Sequence, residues 1–244
     1  MKTTIKSLMI GGSMLIAAPA YAELETEIHA GYHSIYEFRG VDLGDDLFEA
    51  GIDFSYELSD GLVLSGGAWY ADTDGNAAVD AFDELDLYIG LTKTLGAFDV
   101  SFGYTYYNFP GDAFDTDEFY LGVSHELACG IGLSLTYYLD VDEFDGGYLE
   151  FEASKSYAIS ECLSLDLAVG AAYSYDYNLN LDEDPLDDFN HYYISAALPW
   201  AFKEDVTLTP YVKFVGAGND LLNADNDSGN DDLFYGGLVL SVAF

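Results

Sequence analysis

Positive charge is what this chain has least of. Among its 244 residues, 7 are Lys or Arg, against 44 Asp and Glu. So acidic a molecule repels nucleic acid and bare anionic surfaces, so nucleic acid is excluded as a partner and cations are the natural counterparts. Cysteine is nearly absent too, with Cys129 and Cys162 the only two. Long apolar runs are missing as well: past the first residues nothing approaches the roughly 18 unbroken apolar residues that a membrane-spanning helix needs. Any crossing of a membrane must therefore be made by strands. Glycine-rich phosphate loops, zinc-ligand spacings and basic nucleic-acid patches are also lacking.

The first residues, MKTTIKSLMIGGSMLIAAPAYA, have the form of a secretory leader. Lys2 and Lys6 form a basic start, an apolar run follows from Ser7 to Ala18, and Ala20-Tyr21-Ala22 offers a small-residue cleavage site. The predicted division is a signal peptide at 1–22 and a single domain at 23–244. That leader holds two lysines and no acid, so the remainder carries 5 basic and 44 acidic side chains, a formal charge of −39. Acidic loops that keep an exported protein soluble would account for this charge as readily as a cationic partner.

Acidity on this scale often means disorder, but 21 Tyr, 16 Phe and 50% hydrophobic residues argue for strands instead. The last stretch, DLFYGGLVLSVAF from Asp232 to Phe244, alternates. Phe234, Leu238, Leu240, Val242 and Phe244 fall on one face, with Tyr235, Gly237, Ser241 and Ala243 on the other. A terminal aromatic closing such a strand resembles the C-terminal signal of bacterial outer-membrane β-barrels. That resemblance implies recognition of Phe244 by the barrel-assembly machinery.

The same alternation recurs in about twelve segments of roughly 11 to 15 residues, near the length a tilted strand needs to cross a bilayer. They are placed at 24–38, 46–58, 61–71, 83–94, 98–108, 116–127, 131–140, 147–157, 162–177, 188–199, 205–216 and 232–244. Five short turns separate six longer, acid-rich connections: VDLGDD at 41, DTDGNAAVDAFD at 72, FPGDAFDTD at 109, DVDEFDGG at 140, NLNLDEDPLDD at 178 and GNDLLNADNDSGNDD at 218. Tight turns at one end and long loops at the other are the plan of an all-β, transmembrane, antiparallel up-and-down barrel in a Gram-negative outer membrane. Lipid and lipopolysaccharide would then be its surroundings. A soluble β-sandwich also alternates and can be tyrosine-rich, but has no reason to segregate acids to one end.

The outward residues are aliphatic in mid-strand, and Tyr36, Tyr70, Tyr106, Tyr137, Tyr175 and Tyr192 fall towards the loop end as an aromatic girdle. Many inward positions are small, among them Gly51, Gly67, Gly90, Gly103, Gly122 and Gly170, and would leave room for water. Inward Tyr88, Tyr107, Tyr138, Tyr193, Tyr211 and Tyr235 would narrow that space. A narrow channel and a plugged barrel both satisfy this lining, and the channel is the preferred expectation.

The first strand carries the densest polar face. His29, His33, Glu37 and Arg39 point inward and, with Glu49, Asp53, Tyr211 and Lys213, would form a charged wall or constriction. A confined arginine needs a carboxylate, so Arg39 reads either as an internal ion-pair latch or as a selectivity contact. Here the stretch Tyr36-Glu37-Phe38-Arg39-Gly40-Val41-Asp42-Leu43 resembles the TorF-type porin family, a bacterial outer-membrane group. The resemblance implies a β-barrel channel and no catalytic residues.

Cys129 and Cys162 fall in two short turns, where an oxidising compartment favours a disulfide; two free thiols are the alternative. The loops at 72 and 223 offer oxygen donors for weak Ca²⁺ or Mg²⁺ binding, without EF-hand spacing, and solvated loops explain them as well. No cofactor or resident metal is expected. His191 lies near Asp176 and Asp188, but no serine or aspartate motif supports a protease or phospholipase barrel. The expected activity is passive diffusion of small solutes with a preference for cations. A non-conducting structural or adhesive barrel with cation-binding outer loops is the second expectation.

Overall fold

The computed structural model describes residues 24–76, 79–111, 115–180, 182–222 and 232–244. The leader read at 1–22 and most of the acidic stretch at 223 lie outside the described residues. The strands are β1 (Glu25–Phe38), β2 (Val41–Ser59), β3 (Leu62–Thr73), β4 (Phe82–Leu95), β5 (Phe98–Asn108), β6 (Asp115–Glu126), β7 (Gly132–Asp140), β8 (Gly147–Ser160), β9 (Leu163–Leu179), β10 (Pro185–Ala197), β11 (Trp200–Lys203), β12 (Val206–Ala217) and β13 (Leu233–Ala243). Each pairs antiparallel with its neighbours, and β13 pairs with β1, from Glu27 opposite Ala243 to His33 opposite Gly237. The sheet is thus a closed barrel with no free edge.

β10 and β11 are two pieces of one stave, interrupted at Leu198-Pro199, so the barrel has twelve staves. Proline lacks the ladder N–H, which accounts for the break there. Both pieces pair with β9 and β12.

Alternation decides what faces out. Phe48, Ile52, Leu87, Ile89, Phe102, Leu121, Val169, Ile194, Val212 and Leu238 are all exposed on the outer wall, and Phe234 reaches 70% exposure. An apolar belt this continuous suits lipid rather than water. Towards the long-loop end, outward tyrosines bond to aspartates on the next strand: Tyr32 Oη donates to Asp46 at 2.5 Å, Tyr106 to Asp115 at 2.5 Å, and Tyr104 to Asp117. Tyr70, Tyr137, Tyr175 and Tyr192 are exposed in the same girdle.

The first outer connection departs from expectation. VDLGDD at 41 is not a loop but the start of β2, which runs 19 residues from Val41. β1 and β2 are joined by Arg39-Gly40 alone, with φ of 52° and 84°. Two successive left-handed residues form the tight turn that a right-twisted hairpin prefers. Gly40 adopts this freely, whereas Arg39 does so at a cost of roughly 1–2 kcal/mol.

A second departure concerns orientation. The β1–β2 register shifts between Tyr36 and Glu37, and the bulge turns Tyr36 into the barrel, where its exposure falls to 6%. Phe38 also packs inside, against Tyr107 and the Arg39 guanidinium. Tyr36 had been expected in the outer girdle. Cys129 and Cys162 are exposed and free.

Candidate functional site

The inner wall gathers the charged residues into three adjoining clusters rather than one continuous wall. The first spans β1 and β2. His29 Nδ1 lies 2.8 Å from Glu49 Oε2, and its Nε2 lies 3.3 Å from Asp53 Oδ2. His33 Nε2 is 3.9 Å from Glu49, and its Nδ1 is 2.5 Å from the Tyr211 hydroxyl. Trp69 Nε1 donates to Glu49 at 3.0 Å and Tyr88 donates to Asp53 at 2.6 Å. The expected residues His29, His33, Glu49, Asp53 and Tyr211 therefore do meet. Gly51 makes this possible, because a Cβ there would lie 2.3 Å from His29 Nε2.

Glu37 organises the second cluster. One carboxylate oxygen accepts from Lys213 Nζ at 2.6 Å and from Tyr235 at 2.9 Å. The other accepts from the Gly40 backbone N–H at 2.6 Å, tying the hairpin tip to the wall. Lys213 Nζ also lies 4.6 Å from the Tyr193 ring centre. His191 sits beside this group, buried, with Nδ1 2.8 Å from Asn190 Oδ1. Its expected pairing with Asp176 or Asp188 is replaced by that contact, because the β9–β10 register shifts between Phe189 and His191.

Arg39 forms the third cluster. From the tip of the β1–β2 hairpin its guanidinium reaches across the barrel to β6 and meets Glu118 with both terminal nitrogens, at 2.6 and 2.8 Å. Four rings surround it, with centres at 4.9 Å for Phe38, 4.6 Å for Tyr138, 4.6 Å for Tyr148 and 4.3 Å for Tyr177. Tyr107 donates to the same carboxylate at 3.2 Å. A bidentate carboxylate with aromatic faces on several sides satisfies both the charge and the π-surface of a guanidinium.

Below this assembly lies a cavity of about 260 Å³. Towards the short-turn end it is lined by Glu27, Ser101, Ser124, Ser134 and Ser241; towards the long-loop end it meets Tyr36, Phe38, Tyr107 and Tyr138. Above it, a second space of about 30 Å³ lies among Arg39, Tyr148, Glu150, His191, Tyr193 and Lys213, room for about two water molecules. The hairpin tip thus occupies the lumen around Arg39, towards the long-loop end.

Acids dominate the wall. Glu49, Asp53, Glu84 and Glu118 are buried, Glu150 and Glu152 accept from the Tyr193 hydroxyl, and Asp86 and Asp166 each hold a buried oxygen without a hydrogen-bond partner. Tyr36 donates to Glu84 at 2.6 Å. Arg39 and Lys213 are the permanent cations among the described residues facing this space.

Several small inward positions do not leave open space. A Cβ on Gly103 would lie 2.3 Å from the Tyr120 ring, one on Gly170 2.3 Å from Tyr193, and one on Gly67 2.5 Å from the Tyr88 hydroxyl. These glycines are seats on which tyrosine rings lie flat. Tyr148 and Tyr177 were missed in the sequence: both sit at strand ends beside acid-rich loops. Among the described residues no three His, Cys, Asp or Glu side chains converge on a point that could hold a metal ion. The loop at 72–76 folds back instead, with Thr73 donating to the Asp45 carbonyl and Asn76 to Asp42.

The fold is that of known outer-membrane channels. An outer membrane channel from Pseudomonas putida F1 superposes with a TM-score of 0.59 at 13% identity, covering 93% of this chain and 97% of that one. The NanC porin gives 0.54 at 12% identity, covering 89% and 98%, and the KdgM porin 0.53 at 9%, covering 90% and 99%. No curated protein matches at the level of sequence. Over residues 17–244 the chain matches, and therefore belongs to, the family described as a bacterial protein of unknown function, Gcw_chp.

Proposed function

We propose that this barrel sits in the outer membrane of a Gram-negative cell and acts as a narrow, cation-preferring channel for small solutes, held nearly shut at its outer half by the Arg39 hairpin tip. The observation that carries this reading is the 260 Å³ cavity inside a barrel whose wall bears more carboxylates than cations. A fixed negative wall in a confined lumen raises the local cation concentration and repels anions. The apolar outer belt and tyrosine girdle support placement in a bilayer with the acidic loops outward, against lipopolysaccharide. The Phe-Arg-Gly resemblance to TorF-type porins points the same way, as does the resemblance of the last strand, closed by Phe244, to outer-membrane β-barrel signals.

The test is current through the purified protein in a planar bilayer across a KCl gradient. Discrete steps with a cation-selective reversal potential are expected; an anion-selective potential would overturn the charge argument. The small space around Arg39 favours a second reading, a non-conducting barrel whose outer loops engage divalent cations or envelope components. Silence from a heat-modifiable, inserted barrel, together with Ca²⁺-dependent protection of the loops from protease, would establish that reading in its place.

A further inference from the structure

Arg39 is held as a bound ligand would be held. Its guanidinium has a bidentate carboxylate on one edge and ring faces from Phe38, Tyr138, Tyr148 and Tyr177 around it, yet it hangs on a two-residue turn. The seat belongs to the wall: Glu118, Tyr138, Tyr148 and Tyr177 come from β6 to β9, whereas the guanidinium and Phe38 come from the hairpin tip. Removing the side chain would leave Glu118, 1% exposed, with a charge and no cation. The seat also borders the cavity, since Phe38 and Tyr138 line both. Asp86, whose Oδ1 is buried without a hydrogen-bond partner, lines the same cavity.

Resting on the channel reading above, we infer that this seat is a recognition site for the guanidinium head of a small organic cation, and that Arg39 is its tethered competitor. A solute that takes the seat displaces the arginine and with it the hairpin tip that narrows the lumen there. Potassium has no flat face to lay on the three wall rings and no paired N–H groups for Glu118, so the site would discriminate among cations by shape as well as charge.

The probe is methylguanidinium chloride, with urea as a planar uncharged control, applied to Arg39→Ala channels in planar bilayers. The emptied seat should bind the probe, so that millimolar methylguanidinium blocks Arg39→Ala current, urea does not, and wild type is at least tenfold less sensitive. Arg39→Ala/Glu118→Gln should lose at least tenfold in block. Absence of block, or equal block with and without the Glu118 carboxylate, would overturn the inference. Should neither wild type nor Arg39→Ala conduct, the channel reading fails by itself, and the seat is read from thermal unfolding. A rise of several degrees in the heat-modification midpoint of Arg39→Ala with millimolar methylguanidinium, absent in the double variant, keeps the site; no rise removes it. If Arg39→Ala does not fold, Arg39→Gln keeps the bulk and takes its place in both measurements.

Discussion

At the scale of single residues, the interior is organised by carboxylates that have found donors. Glu37 accepts from Lys213, Tyr235 and the Gly40 amide, all between 2.6 and 2.9 Å. Removing the lysine leaves a buried charge with two neutral donors, a loss of about 3 kcal/mol. Lys213→Met is expected to lower the urea midpoint of the folded barrel accordingly, and Glu37→Gln/Lys213→Met to recover part of the loss. A single variant as stable as wild type would mean that water, not Glu37, solvates Lys213. Of these groups the sequence named Glu37, Lys213, His29, His33, Glu49 and Asp53, because polar residues at period two must share the inner face. It could not pair them: partners lie as far apart as Glu37 and Lys213, and which inward acid meets Arg39 depends on how far the guanidinium reaches across the lumen.

At the scale of the strand, alternation was legible nearly everywhere and failed where the backbone broke its own period. β3, β5, β6, β7, β12 and β13 fall within a few residues of their expected spans. β1 fails at its end, since Tyr36 and Phe38 suit an interfacial girdle as well as a lumen, and a bulge leaves no mark in an aromatic-rich pattern. Glycines misled in a related way: a small inward residue reads as empty space until the cross-strand tyrosine that lies on it is known. The outer face gives the strand-level prediction. Leu121 lies in mid-strand and Leu95 at the end of β4, with similar exposures of 57% and 56%. Arginine in a bilayer midplane costs about 2–4 kcal/mol and near an interface about 0–1 kcal/mol. Leu121→Arg should therefore destabilise the barrel refolded in vesicles much more than Leu95→Arg. Equal losses would mean that this face does not meet lipid.

At the scale of the whole molecule, charge and shape act together. The sequence carried the sign of the charge and the two-ended plan of turns and loops. It could not show that the hairpin tip turns inward and narrows the lumen around Arg39. In the channel proposed above, the fixed acids would act on ions in a cavity of about 260 Å³ whose outer side is narrow. Their reach is set by screening, about 10 Å at 0.1 M salt and about 3 Å at 1 M. At low salt the fields of opposite walls overlap across the lumen, and at high salt each acid acts only on its own surroundings. The ratio of potassium to chloride permeability should therefore be highest near 0.1 M KCl and fall towards unity by 1 M. Arg39→Ala, which removes a cation from the narrowest point, should raise that ratio at low salt. A ratio independent of salt would place selectivity in close contacts at the Arg39 seat, whereas a lower ratio in Arg39→Ala would show that Glu118 does not face the ion path.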